Sequence, residues 1–273
     1  MRGWVWGVCA VAMVVAAATG WGVSAWGDLR VITEGGEQAA GQVGQSLANP
    51  DDPGSETTTT TTNAPEPPTD PSDIPACTID DQPAGGDPAR DWATVMVDTT
   101  FAVPADFVPP DLVDVSAAGF GTGDQVREIV VPDLDALRQA AAAAGTPVSL
   151  VSAYRSYDYQ QGLFATEAAD KGEEAAERTT ARAGHSEHQL GTAVDLTDDT
   201  GSPLDESFAS TPTAAWLAAH AHEFGFVVSY PDVPPARSCY QYEPWHLRYI
   251  GHDLAATVHE SGLTLREWLL THR

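Results

Sequence analysis

The chain has 273 residues, enough for one sizeable core or two small ones, and its 42% hydrophobic content is too low for a polytopic membrane protein. With 39 Asp and Glu against 13 Lys and Arg the formal net charge is −26, which repels phosphate backbones and excludes a nucleic-acid partner. Three cysteines leave room for a single bridge and cannot build a disulfide scaffold.

Residues 1–27 read as a transmembrane anchor or a signal peptide. No charge interrupts the stretch from Gly3 to Gly27, and Arg2 precedes it, which orients the rest of the chain outward. Trp4 and Trp6 at one end, with Trp21 and Trp26 at the other, suit the two aromatic belts of a retained anchor spanning residues 4–26. The competing reading is cleavage near Ala25, after the small-residue run Val23-Ser24-Ala25. Both readings export the bulk of the protein. Residues 28–91 are acidic and rich in proline and threonine, with Arg30 and Arg90 as the only bases and an unbroken run from Thr57 to Thr62. Such a segment buries too little apolar area to offset its ordering entropy, so it is expected to be a disordered stalk. Its threonines are candidates for O-glycosylation.

Residues 92–273 are patterned as a globular domain. Helices are expected over Asp133–Ala144, Asp158–Asp170, Glu173–Ala183, Thr213–Phe224 and Leu265–Leu270. Strands are expected over Pro147–Ala153, Thr192–Thr197, Phe226–Tyr230 and Trp245–Ile250. The first helix has Pro132 before it and Gly145 after it, a natural start and stop. Helices and strands mix without a regular βαβ repeat, which makes the class α+β.

All eight histidines lie after residue 184. Two segments hold the informative ones, Gly184–Asp195 (GHSEHQLGTAVD) and Tyr242–Tyr249 (YEPWHLRY). His188, Asp195 and His246 form a set of the kind that binds zinc in hydrolytic sites, three N/O ligands with a fourth position open. Glu243 precedes Pro244, so it sits at a strand entrance and not on a helix, three residues before His246. A carboxylate there can take a proton from water and deliver it to a leaving amine. His220 and His222 are read as surface groups, and His185, His252, His259 and His272 as solvated ones. In an exported protein Cys77 and Cys239 are expected to pair. The rival, Cys239 as a metal ligand in place of Asp195, is disfavoured.

These segments resemble the VanY-type D-alanyl-D-alanine carboxypeptidases, zinc peptidases of bacterial peptidoglycan. The S-x-H-x-x-G-x-A-x-D motif is met by Ser186, His188, Gly191, Ala193 and Asp195, and E-x-W-H-x-R by Glu243, Trp245, His246 and Arg248. A third segment is met by Ser152, Tyr154, Arg155, Ser156 and Gln160, and Met96–Val113 is similar to the family's N-terminal wrap. The resemblance implies a single compact domain in which a small antiparallel sheet flanked by helices carries the metal, as in hedgehog/D,D-peptidase folds. It implies one zinc held by His188, Asp195 and His246, with Glu243 as general base. Arg155 would stabilise the oxyanion, while Ser186 and Gln160 would hold the substrate. The expected partners are peptidoglycan stem peptides, with the membrane added if residues 4–26 are retained, and the chain is expected to act as an extracytoplasmic monomer at the cell wall. The rival readings are L,D-carboxypeptidase or endopeptidase activity on the same peptides, and a non-catalytic zinc-containing wall-binding module, against which the intact Glu243 argues.

Overall fold

The computed structural model describes residues 74–272. The expected anchor or signal peptide at residues 1–27, and residues 28–73 of the expected stalk, lie outside the described residues. Among the described residues no helix is long and apolar enough to cross a membrane.

Four short strands come first: β1 (Gln82–Pro83), β2 (Phe101–Ala102), β3 (Leu112–Asp114) and β4 (Gln125–Arg127). Helix α1 (Val131–Ala143) follows, then β5 (Val148–Ser152), α2 (Tyr157–Lys171), α3 (Glu173–Thr179) and β6 (Ala193–Asp198). The chain continues through α4 (Pro212–His220), β7 (Phe226–Val228), β8 (His246–Tyr249), α5 (His252–Ser261) and α6 (Leu265–Thr271). Strands β5 to β8 form one antiparallel sheet in the order β5-β6-β8-β7. The mixed class and the small antiparallel sheet are those expected from the sequence.

Local chemistry explains most boundaries. Helix α1 starts with Pro132 in its first turn, and Gly145 follows its end at φ 79°, a conformation glycine adopts without steric cost. Ser156 caps α2 by accepting from the Tyr159 N–H, and Thr264 with Glu267 forms a reciprocal capping box on α6. The helix expected to run to Ala183 stops at Thr179. Thr180 turns to extended backbone (φ −142°), and the chain from there to Ser186 is irregular. Helix α5 was not anticipated. It is entered through Gly251 and carries two histidines and four acidic or hydroxyl groups, with little apolar pattern beyond Leu254, Ala255 and Val258.

The sheet buries one face against α1 and α4. Leu134 and Leu137 from α1, Val194 and Leu196 from β6, Leu247 from β8 and Leu217 from α4 are all fully buried in one cluster. A second cluster packs Met96, Val227 and Ile250 under α5 and α6. Strand β5 carries a bulge: Leu150 faces Leu196, but it is Ser152 that faces Asp195, so Val151 is an extra residue.

The domain begins earlier than expected. Residues 74–91, placed by composition in the stalk, are folded onto it. β1 pairs in parallel with β2, and Cys77 lies at disulfide distance from Cys239 (Sγ–Sγ 2.09 Å, Cα–Cα 5.4 Å). The Arg266 guanidinium donates to the Pro75 carbonyl at 2.8 Å. Acidic, proline-rich composition signals low self-burial, but here backbone pairing and the close approach of Cys77 to Cys239 order the segment from outside. A chain starting at residue 92 is therefore expected to melt about 5–10 °C below one starting at residue 74, as loss of a bridge worth ~2–4 kcal/mol requires. Non-reducing peptide mapping should show Cys77 linked to Cys239, and equal melting temperatures with two free thiols would refute both statements.

Candidate active site

Asp195 and His246 are direct neighbours in the β6–β8 register. His188 comes from a 3-10 turn, Glu187–Leu190, that leads into β6 and is capped by the Ser186 hydroxyl. The turn ends at Gly191, with φ 68°, where an added Cβ would stand 3.0 Å from both Arg127 and Leu112. Both backbone and space therefore require glycine, and the close turn aims His188 back at the sheet.

The three side chains converge. His188 Nε2 and His246 Nδ1 each lie 3.3 Å from Asp195 Oδ1, and the three atoms fall within 4.8 Å of one another. The other imidazole nitrogens are engaged. His188 Nδ1–H donates to the Ala153 carbonyl at 2.6 Å, and His246 Nε2–H donates to Glu187 at 2.9 Å. These bonds select the tautomers that point one lone pair from each ring toward Asp195. Asp195 Oδ1 is buried without a hydrogen-bond partner. Two imidazole nitrogens and an orphaned carboxylate oxygen make a donor set that fits a borderline divalent cation.

Arg155 reaches the same carboxylate from the other side, donating to Asp195 Oδ2 at 2.5 Å and through Nε to Ser152 at 2.8 Å. Glu243 stands at the edge, its Oε2 3.8 Å from His246 Nδ1 and its backbone N–H bonded to the Tyr230 carbonyl. Burial, with some repulsion from Asp195, pushes the Glu243 carboxyl up to about 7.

Arg155, Glu243 and the three convergent residues line one cavity of about 350 Å³, whose other walls include Thr179–Ala181, Ser186, Tyr230, Tyr240 and Trp245. Gln160 lines it too, at 1% exposure; its amide donates to the Ala181 carbonyl and its Oε1 has no partner. Every site residue expected from the sequence is thus brought to one cavity, apart from the cysteine pair. A second, largely apolar cavity of about 360 Å³ lies between α4 and α5. It is lined by Tyr242 and Pro244, which flank Glu243, and contains none of the convergent residues.

Glu187 takes part without having been singled out, and Arg248, named only as a motif position, joins it. Glu187 bonds His246 through Oε2 and receives Arg248 at 2.8 Å through Oε1. Arg248, fully buried, also donates to the carbonyls of Trp92 and Val95. A sequence signal existed: His246 and Arg248 are two apart on a strand, so one acid can meet both. His185, read as solvated, is instead 1% exposed. It is held by the Asp98 carbonyl at 2.7 Å and by Asp81 at 3.0 Å. A polar residue next to a glycine looks like a surface group until the segment that covers it is placed.

The cluster's protonation follows from these contacts. For His246, burial opposes charge, but hydrogen bonds and charges from Asp195 and Glu187 outweigh it and push the ring up to about 10. Burial and the nearby Arg155 take His188 down to about 4. Before a metal binds, His246 is therefore protonated at neutral pH, at the Nδ1 whose lone pair a metal would take. A cation needs that lone pair, so binding expels about one proton and affinity rises roughly tenfold per pH unit until pH nears 10. Calorimetric titration in buffers of differing ionisation enthalpy measures this directly, and binding without proton release would contradict it. Glu187→Gln weakens the carboxylate's hold on His246 and should cost about 10–100-fold in metal affinity by chelator competition.

Residues 123–252 match the family VanY: D-alanyl-D-alanine carboxypeptidase. YodJ of Bacillus subtilis (strain 168), named as a carboxypeptidase, is 38% identical over 179 residues; the alignment covers 63% of this chain and 65% of YodJ. The chain thus spans just under two thirds of that relative's length. The solved LdcB LD-carboxypeptidase is 34% identical with a TM-score of 0.60, covering 65% of this chain and 85% of LdcB. A variant of the D,D-pentapeptidase VanY from a VanB-type resistance cassette, solved with Zn(II), is 30% identical with a TM-score of 0.56, covering 65% of this chain and 99% of that one.

Proposed function

The chain belongs to the VanY family of D-alanyl-D-alanine carboxypeptidases, and from that premise we propose that it is a zinc-dependent D,D-carboxypeptidase removing the terminal D-alanine from peptidoglycan stem peptides. The observation that carries the reading is the orphaned Asp195 Oδ1 facing two imidazole nitrogens beside a buried, proton-competent Glu243. His188, Asp195 and His246 hold the metal. Bound there, zinc supplies a Lewis acid for the scissile carbonyl and acidifies water.

The chain's own residues do the rest. Glu243 accepts the proton of the attacking water at its carboxylate and passes it to the leaving amine of D-alanine. A buried carboxyl suits both halves, since its affinity for the proton lies near neutral. Arg155, fixed by Ser152 and Asp195, offers its guanidinium to the negative charge that develops on the carbonyl oxygen. Ser186, whose oxygen already accepts from the His188 N–H, has its hydroxyl proton left to donate to the substrate carboxylate. Gln160 presents its unpartnered carbonyl to the substrate backbone. The bridge between Cys77 and Cys239, action at the cell wall, and a membrane-anchored or secreted form fit an exported enzyme of this kind.

L,D-carboxypeptidase activity is the second reading, favoured by one observation: identity to LdcB, 34%, exceeds that to the D,D-pentapeptidase, 30%. Incubation of the zinc-loaded protein with pentapeptide and tetrapeptide stems separates the two by mass. Loss of one alanine from the pentapeptide alone is the expected result; loss from the tetrapeptide alone reverses the assignment. Glu243→Ala should fold and keep its zinc while kcat drops by about 10²–10⁴. Arg155→Ala should act mainly on kcat and Ser186→Ala mainly on KM. A folded, zinc-loaded Glu243→Ala protein turning over at the wild-type rate ends this mechanism.

A further inference from the structure

Three parts of the cavity wall, Thr179–Ala181, Ser186 and the pair Tyr240 and Glu243, belong to no strand of the main sheet. In each, the residue beside the wall is gripped by the same remote segment. Arg182, next to Ala181, donates to Asp81 at 2.8 Å and to the Asp80 carbonyl at 2.7 Å. His185, next to Ser186, meets the same Asp81 oxygen at 3.0 Å. Cys239, next to Tyr240, lies at bonding distance from Cys77. The Tyr240 hydroxyl then donates to the His185 carbonyl at 3.2 Å, which closes a ring from Cys77 through both loops back to Asp81.

Two further facts show that the ring constrains geometry. Cys239 has φ 71°, and no other described non-glycine residue has a positive φ. Such a conformation persists only where its surroundings enforce it. The strap itself is anchored independently of the cavity, by backbone bonds from Gln82 and Ala84 to the carbonyls of Thr100 and Ala102.

We propose that residues 74–84 are a strap that sets the walls of the substrate cavity, with Asp81 and the Cys77–Cys239 link as positioning groups for substrate binding. The inference rests on the cavity being the substrate site. The metal-binding residues lie on β6, β8 and the turn before β6, so the strap acts on substrate affinity and leaves the metal in place. Asp81 is 77% exposed, and an exposed ion pair contributes little to stability, so Asp81→Ala tests position and not folding.

The experiment compares full-length wild type, Asp81→Ala, Asp81→Asn and Cys77→Ser/Cys239→Ser, each zinc-loaded, on a pentapeptide stem. Expected are a KM raised about threefold to tenfold in Asp81→Ala and about tenfold or more in the cysteine variant. Kcat and zinc content should hold, and Asp81→Asn, which keeps an acceptor oxygen, should recover most of the loss. Amide hydrogen exchange followed by mass spectrometry should quicken at residues 180–186 and 240–243 together. Wild-type KM with unchanged exchange in Asp81→Ala overturns the proposal, as does a parallel loss of zinc and kcat. If the cysteine variant does not fold, Asp81→Ala alone decides. An inactive wild type refutes the functional reading instead, and hydrogen exchange still judges the strap.

Discussion

Glu187 holds two cationic groups with one buried carboxylate, and the geometry of the site hangs on that arrangement. One oxygen fixes the tautomer of His246; the other receives Arg248, whose remaining donors reach the backbone at Trp92 and Val95. Arg248 holds the carboxyl down to about 2 against the opposing pull of burial. Removing the acid would strand a guanidinium in the core, a loss of order 3–5 kcal/mol for broken buried pairs. The metal-facing nitrogen of His246 is thus oriented by a chain of contacts that runs through the core to the backbone of Trp92 and Val95.

Asp195 shows the same economy. Its two oxygens serve different partners, Arg155 on one side and the paired imidazoles on the other. Burial would raise its carboxyl, yet the surrounding positive groups keep it ionised. Arg155 matches one oxygen and leaves Oδ1 facing the two rings without a hydrogen-bond partner, so the pocket between the rings is preorganised for a cation before one arrives.

Much of this was legible in sequence because the residues that touch the metal site sit in short, closely spaced motifs. His188, Gly191 and Asp195 are read from one turn and one strand, and the alternation of Asp195 with Val194 and Leu196 separates site from core. The long helices and the main strands declared themselves through prolines, glycines and apolar runs. What escaped depended on partners far away in the chain. Residues 74–91 look disordered by composition because their order comes from β2 and Cys239. His185 looks solvated because Asp81, one hundred and four positions earlier, covers it. Glu187 carries no pattern of its own, since an acid becomes structural only when the fold encloses it. Propensity and periodicity register local preferences, and these three cases are decided by tertiary closure.

The bulge at Val151 has a consequence for how length and identity are constrained along β5. Val151 is 47% exposed, and by contacts alone its side chain is free to vary. Yet its presence shifts the strand by one place, so that Ser152 and not Val151 lies opposite Asp195 and can brace Arg155. Were the strand regular, Val151 would lie opposite Asp195, and Ser152 would turn to the other face with the arginine about 3.3 Å out of phase. The bulge therefore sets the reading frame of the sheet: the side chain at Val151 matters little, and the irregularity itself decides which residue meets Asp195.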